Sequence, residues 1–369
     1  MLLLSFITGC TRNKANELKP VVNDKNSVTI ELFNKKADFS PGPITMSEFV
    51  DSVKFIALEE TDESLIKSLN KIIFTAEYVI VVDREQGIIF FFDKNGKYIK
   101  KISQKGQGPG EYTSIASCML DEKQQLIIYD ILAKKILFYD LDGNFLKQIS
   151  NFSENTVIRD IINLPNGNFL CYTFDLVGEA EKKYTGLWEV DTHGKFLHNY
   201  FTYNVKLPVT FGEPPHFQQL SKGVISLRDN THNDIYHYHN GAVELYISYN
   251  IKDNMLPDMI GASRFGNEPK NIRAAITQEK GDFIITLWFD EAGEPLFSLF
   301  SKNNNKMHFW DAYLTCDPAV PGVLFYPVDS NISDILVCDL NKYMIDKYLA
   351  DTKLPKSVRN ALEIGRAHV

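Results

Sequence analysis

A repeat of 47 residues constrains the fold of this chain more than any other feature. Residues 78–103 align with residues 125–150 at an offset of 47, with Asp83 opposite Asp130. A period of this length is typical of proteins in which each repeat is one supersecondary unit that buries its apolar face against the next unit. The architecture is therefore expected to be a series of copies of this unit.

Each unit has the pattern of four consecutive antiparallel strands. Short runs rich in Val, Ile, Phe and Tyr are separated by turn formers, as in Asp93–Gly96 and Asp140–Gly143. The pattern continues with drift, because Gly194 follows Gly143 by 51 residues and Gly241 follows Gly194 by 47. Six such units predict an all-β fold, a six-bladed β-propeller of four-stranded antiparallel blades.

The two ends of the repeat predict how the ring closes. An open ring would leave an unpaired edge, so Val53–Leu58 (VKFIAL) is expected to close the last blade as its outer strand. The third strand of that blade has no candidate before Asn341, and we expect it to come from natural residues beyond the C-terminus. Residues 363–369 (EIGRAHV) match a translated sequencing adaptor and are interpreted as a non-native tail. The propeller is assigned to residues 45–362.

The first ten residues, MLLLSFITGC, have the pattern of a bacterial lipoprotein signal. A short apolar run ends in Thr8-Gly9-Cys10 and a polar segment follows. In this interpretation residues 1–10 are the signal peptide, Cys10 is lipidated and residues 11–44 form a linker. An ordinary secretory signal and a fragment of a buried strand are the alternatives. The expected location is the bacterial cell envelope, with the protein lipid-anchored to the outer membrane on either its periplasmic or its surface side.

The charge of the chain excludes two classes of partner. The formal net charge is −8 and no long basic run is present, so the electrostatic attraction that nucleic acids and anionic membrane surfaces require is missing. We therefore expect no nucleic-acid binding and contact with a membrane only through the lipid anchor. The protein is also expected to be a monomer.

Several of these features together carry a resemblance to a known family. The Cys10 signal, the DSVKFIALEE segment from Asp51, the DxxG hairpins and the GQGPGEY stretch from Gly106 are similar to those of the six-bladed β-propeller lipoproteins, NHL- or TolB-like, of Gram-negative gut anaerobes. The resemblance covers about residues 45 to 360. It implies a cell-envelope binding protein, and it implies no defined reaction.

The stretch Lys105–Ser114 (KGQGPGEYTS) allows two interpretations. A phosphate cradle needs a helix N-terminus directly after its glycines, whereas the residues after Gly110 have the pattern of a strand. We therefore predict a corner that carries the chain from the first blade to the second. Glu111 and Tyr112 are predicted to face the mouth of the central channel.

Aspartates end many of the predicted strands and invite a calcium interpretation. The segment that starts at Asp140 resembles the beginning of an EF-hand loop, but its twelfth residue is Asn151 where a bidentate glutamate is required. Capping of turns is the preferred role for Asp83, Asp93 and their counterparts.

A ring of residues that enter the first strands is predicted at one channel mouth. In a propeller the first strand of each blade lines the central channel, which places Tyr112, Arg159, His216 and Arg273 in this ring, with Glu111 beside them. Two arginines and a histidine suit an anionic or hydroxyl-rich ligand. These are the predicted ligand-binding residues.

Histidines offer a metal alternative. His237 and His239 share one strand face, and a third ligand such as His216 would complete a site. The alternative interpretation is a solvated hairpin that ends in an Asn240-Gly241 turn. Without this site, no cofactor and no catalytic residues are predicted.

Three functions remain open on these patterns. The first is a non-enzymatic, lipid-anchored propeller that binds a glycan, a peptide or an envelope protein at the channel mouth. The second is a metal-assisted hydrolase or lyase that uses the same mouth. The third is a structural envelope component whose channel is plugged by its own side chains, and the fold alone does not separate the three.

Overall fold

Strands form where the sequence alternates apolar runs with turn formers. The structure, a computed structural model, describes residues 3–9, 27–32, 50–150, 158–173, 186–201, 216–229, 234–251, 273–289, 295–311 and 327–340, with single positions near the C-terminus. The strands are β1 (Leu3–Gly9), β2 (Val28–Leu32), β3 (Val50–Ala57), β4 (Lys71–Phe74), β5 (Val79–Asp83), β6 (Ile88–Phe92), β7 (Tyr98–Ile102), β8 (Ser117–Leu120), β9 (Leu126–Asp130), β10 (Lys135–Tyr139), β11 (Phe145–Ile149), β12 (Asp160–Asn163), β13 (Phe169–Thr173), β14 (Gly186–Val190), β15 (Phe196–Phe201), β16 (Phe217–Gln219), β17 (Ile225–Arg228), β18 (Ile235–His239), β19 (Ala242–Ile251), β20 (Arg273–Lys280), β21 (Phe283–Phe289), β22 (Pro295–Ser301), β23 (Lys306–Asp311), β24 (Pro327–Ser330) and β25 (Ile335–Leu340).

These strands form an all-β propeller with four-stranded antiparallel blades. Three of the sheets are the consecutive sets β8–β11, β12–β15 and β20–β23. A fourth contains β16–β19, and β2 extends it by parallel pairing with β19. Thus part of the predicted linker 11–44 is a strand.

The described strands form five sheets and not the six separate blades that were predicted. The fifth sheet has eight strands in the order β3-β1-β25-β24-β4-β5-β6-β7. Its two halves are each antiparallel, and they are joined by a short parallel pairing of Asp329 with Lys71 and of Ser330 with Ile72. This pairing merges what the repeat predicts as the first and last units into one sheet.

The N-terminal residues complete one half of the eight-stranded sheet. β3 lies at its outer edge, as predicted for Val53–Leu58. The third position, for which the sequence offered no later candidate, is held by β1, which pairs with β25 from Leu3↔Leu340 to Thr8↔Ile335 and with β3 on its other side. Cys10 and residues 364–369 lie outside the described residues. Among the described residues, no helix is long and apolar enough to cross a membrane.

The core lies between neighbouring blades. Ile80 and Phe91 of the first unit pack in one cluster with Ile128 and Leu137 of the second, and all four side chains are fully buried. β5, β6, β9 and β10 are buried on almost their whole length because each lies between the faces of two adjacent blades. Apolar burial of this kind stabilises by about 25 cal/mol per Å², so stacking of blades drives the closure.

The outer hairpin turns are capped by aspartate, as predicted. Asp93 accepts hydrogen bonds from the backbone N–H groups of Asn95 (2.8 Å) and Lys97 (2.9 Å). Asp140 accepts one from the N–H of Asn144 at 2.8 Å. These local bonds fix the turns.

Candidate functional site

The first strands of the units are linked to one another by polar side chains. Asp160, which begins β12, accepts a hydrogen bond from the Ser117 hydroxyl of β8 on Oδ1. Its Oδ2 accepts the backbone N–H groups of His216 (2.8 Å) and Phe217 (3.1 Å) at the start of β16. One buried carboxylate therefore connects three first strands.

The links continue through β16, β20 and β24. The Gln218 amide donates to the Glu279 carbonyl at 2.6 Å and accepts from the Glu279 N–H at 2.8 Å. Lys280 of β20 donates to the Ser330 hydroxyl (3.0 Å) and to the Ile332 carbonyl (2.7 Å) next to β24. Each bond joins a side chain of one unit to the next unit along the chain.

The circuit closes between β24, β4 and β8. Lys71 forms an ion pair with Asp329 at 2.6 Å. The Asn331 amide accepts the Phe74 N–H at 2.8 Å and donates to the Phe74 carbonyl at 2.9 Å. Arg84, just after β5, donates from Nε to the Ile115 carbonyl at 3.0 Å, immediately before β8. The first strands of the described units thus surround a common axis.

A cavity of about 290 Å³ lies along this axis. We call the side on which the first strands begin the start side, and the side on which they end the turn side. Asn70, Lys71 and Arg84 line the cavity at its start side. The remaining polar lining consists of Ser117, Asp121, Glu122, Gln124, Asp160, Asn163, Gln218, Gln219, Asp329, Ser330 and Asn331. The aromatic residues of the lining are Phe74, which is half-buried, and Phe217, which is buried.

Burial sets the electrostatics of the channel wall. Burial opposes charge on Lys71, but the attraction of Asp329 prevails and raises the pKa of Lys71 above its usual value. For Lys280 burial prevails and lowers the pKa to about 8, although the charge of Asp329 acts in the opposite direction. Burial also raises the pKa of Asp160, although the Ser117 hydroxyl and two backbone N–H groups act in the opposite direction. The charged groups of the channel wall therefore interact with one another, and each of these three has an ion-pair or hydrogen-bond partner.

Two predicted mouth residues do lie together at the start side. The Arg159 N–H donates to the Tyr172 carbonyl at 2.8 Å, and the Tyr172 ring lies 4.8 Å from the His216 ring. Burial lowers the pKa of His216 well below its usual value, and the charges of Arg228 and Arg159 add to this effect. Burial and the two cations therefore favour the neutral imidazole of His216. It lines a smaller, separate cavity with Arg228.

The structure places Glu111 and Tyr112 in the corner between the first two units and not in the cavity lining. Tyr112 is fully buried, and its hydroxyl donates to the carbonyls of Gly87 (3.0 Å) and Ile102 (3.2 Å). Glu111 accepts the Gly108 N–H at 2.9 Å. A strand, β8, follows this loop, so the prediction of a corner is confirmed. Arg273 begins β20, but its side chain lies outside the described part.

The histidines predicted as metal ligands have different surroundings. His237 makes a 2.9 Å contact with Glu279, while His239 is exposed at the end of β18. No group of three or more His, Cys, Asp or Glu side chains among the described residues is arranged to hold a metal ion.

Sequence reasoning missed Lys71, Arg84, Gln218 and Asp329 as cavity residues. One signal was available, because the 47-residue offset aligns Arg84 with Ile131 and marks a position where the repeat exchanges an apolar residue for a charged one. Lys71 and Asp329 are 258 positions apart in the sequence, so their pairing leaves no local pattern.

A family model named Domain of unknown function (DUF4934) matches residues 27–365. The chain belongs to the DUF4934 family. The match begins just before β2 and includes every later strand, so the DUF4934 region contains the whole channel wall. No functionally curated protein matches the chain.

Solved structures share the fold of this DUF4934 protein. An exported protein of Bacteroides fragilis NCTC 9343 is 18% identical with a TM-score of 0.70, over 84% of this chain and 90% of that one. A DUF4221 family member from Bacteroides vulgatus ATCC 8482 is 10% identical with a TM-score of 0.50, over 77% and 96%. An inactive variant of virginiamycin B lyase from Staphylococcus aureus with quinupristin is 12% identical with a TM-score of 0.43, over 77% and 98%. At these identities the first two likenesses concern the fold alone, and nothing about this chain follows from the third, whose TM-score is below 0.5.

Proposed function

We propose that this protein is an exported cell-envelope propeller that binds a glycan in the channel cavity and does not catalyse a reaction. The observation that carries the proposal is the chemistry of the cavity lining. Carboxamides and carboxylates from several units converge there, together with the aromatic rings of Phe74 and Phe217. Planar polar groups pair well with the vicinal hydroxyls of sugars, because each supplies two adjacent donors or acceptors.

The size of the cavity favours a small unit of a larger ligand. Its volume of about 290 Å³ lies at the lower end of small-molecule sites, which run from roughly 300 to 1,000 Å³. A peptide is the weaker choice, because peptide recognition uses open sheet edges or apolar pockets for alternate side chains. The cavity would accept one end of a glycan chain.

We also propose that the eight-stranded sheet acts as two blades, which gives six blades around the channel. Each half is a four-stranded antiparallel set, and only two residue pairs join them. Each half also contributes one first strand, β4 or β24, to the channel wall.

For location, we propose export and lipidation at Cys10, with an anchor in the outer membrane. The name of the Bacteroides fragilis neighbour and the MLLLSFITGC segment support this proposal. Cleavage before Cys10 would remove β1 from the chain, so the lipidated form would lack the third strand of the half-sheet β3-β1-β25-β24, whereas a form that keeps β1 would carry no lipid at Cys10. Mass spectrometry of the N-terminus of the protein expressed in a Gram-negative host distinguishes the form lipidated at Cys10 from the form that keeps β1. A retained Met1 would refute the anchor.

The binding proposal is tested on the full chain with a glycan array followed by calorimetry. Gln219 lines the turn side of the cavity, and Gln219→Trp should fill it and weaken binding at least about tenfold. Gln148→Trp on the exposed outer strand β11 is the matched control and should bind like the wild type. A folded protein that binds no glycan, or that binds equally well with Gln219→Trp, would contradict the proposal.

A further inference from the structure

Arg84 is a fixed guanidinium at the start side of the channel cavity. Its backbone N–H donates to the Asn70 side chain at 2.8 Å, and its Nε donates to the Ile115 carbonyl at 3.0 Å. The Nε bond holds the side chain against the next unit. The side chain is half-buried and lines the cavity.

The repeat shows that the fold does not need a cation at this position. The 47-residue offset places Ile131 of the second unit opposite Arg84. Ile131 packs against the apolar cluster between the second and third units. Because the same structural position is satisfied by an apolar side chain one unit later, the charge of Arg84 requires another explanation.

The neighbouring carboxylates are committed to other partners. Asp83 accepts the backbone N–H groups of Lys67 (2.7 Å) and Ser68 (3.1 Å). Asp329 is paired with Lys71 at 2.6 Å. Within the part of the chain that the structure describes, Arg84 forms no ion pair with a carboxylate. Its charge also contributes to lowering the pKa of His216, as a cation near the channel axis does.

We infer that the cavity selects an acidic glycan, whose uronate carboxylate binds the guanidinium of Arg84. This inference rests on the proposed glycan binding and names the class of sugar. A guanidinium presents parallel N–H groups that match a planar carboxylate, and a partly desolvated site strengthens the pair. With Nε used on Ile115, the terminal nitrogens are the donors for the ligand. The hydroxyls of the sugar then contact the amides of the lining.

The test is calorimetry of the full chain with paired oligosaccharides that differ only in oxidation at C6, such as tetraglucuronate and cellotetraose, taken from a panel of such pairs. The uronate member should bind at least about tenfold more tightly, which is the expected range for one charge-assisted bidentate contact. The preference should fall with rising salt.

Two variants and a control locate the effect. Arg84→Ile copies the residue that the second unit carries, and it should remove the preference for the uronate member. Arg84→Lys keeps the charge without the planar fork and should give an intermediate preference. Lys123→Gln removes an exposed cation near the turn side and should keep the wild-type preference.

The possible results distinguish a failure of this inference from a failure of the proposed glycan binding. Equal affinity of the wild type for acidic and neutral members overturns the inference and leaves glycan binding standing. A preference that persists in a folded Arg84→Ile protein also overturns it. Failure of the whole panel to bind overturns the proposed function and this inference together.

Discussion

Aspartate side chains accept backbone N–H groups both in the outer hairpins and in the channel wall, but the structural consequences differ. In the outer hairpins, Asp93 and Asp140 accept backbone N–H groups from residues two or four positions later, and both turns are exposed to solvent. In the channel wall, Asp160 accepts N–H groups from residues 56 and 57 positions later and is buried. The comparison teaches that the hairpin aspartates shape local turns, whereas Asp160 holds three units in register.

The largest expected effect comes from removing that central acceptor. Asp160→Ala leaves the Ser117 hydroxyl and the N–H groups of His216 and Phe217 buried without an acceptor. We expect a loss of at least about 3 kcal/mol in the free energy of unfolding, because each orphaned donor costs about 1–3 kcal/mol. Denaturant unfolding measures it.

Asp140→Ala is the control for this prediction. Its partners are exposed and water replaces the lost acceptor, so we expect a loss of less than about 1 kcal/mol. Equal losses in the free energy of unfolding for Asp160→Ala and Asp140→Ala would contradict the view that the channel aspartate holds units together while the hairpin aspartate shapes only a local turn.

The next effect is a pH dependence that originates in the channel wall. Burial lowers the pKa of Lys280 to about 8 in the folded protein, below its usual value of 10.5. Between these values the unfolded chain binds more protons than the folded one, so the free energy of unfolding rises with pH. The gain from pH 8 to pH 10 should be about 2 kcal/mol, at about 1.4 kcal/mol per pKa unit.

Lys280→Met removes the titrating group and should flatten this part of the profile. Thermal unfolding of both proteins across pH 7 to 10 supplies the measurement. Parallel profiles would show that Lys280 is not buried as a destabilised cation.

The smallest of the three effects concerns the link between β16 and β20. Gln218→Ala removes both bonds to the backbone of Glu279, and we expect a loss of about 1.5 kcal/mol. Gln148→Ala on the exposed strand β11 should cost less than about 0.5 kcal/mol. Chemical denaturation of both variants measures whether an amide in the channel wall contributes more to the free energy of unfolding than an amide on the exposed strand β11.

Sequence reasoning predicted the local features because their causes are local. The strands β4–β11, the aspartate-capped hairpins and the corner at Lys105–Ser114 follow from apolar alternation and turn chemistry within a few residues. The five-sheet count differs from the predicted six because a two-residue pairing between β24 and β4 depends on how the ends of the chain meet. A buried strand was only an alternative interpretation of the first ten residues, because the run Leu3–Gly9 fits a signal segment as well as a strand.

The sequence by itself determined that this chain builds repeated four-stranded units, because the 47-residue period and the turn residues act over short distances. Only the tertiary structure decided which polar residues face the channel. Lys71 meets Asp329, Asp160 meets His216 and Arg84 reaches Ile115 only after the units close around an axis. Side chains far apart in the chain carry no mutual pattern in a single sequence, since their proximity is a product of packing and not of spacing.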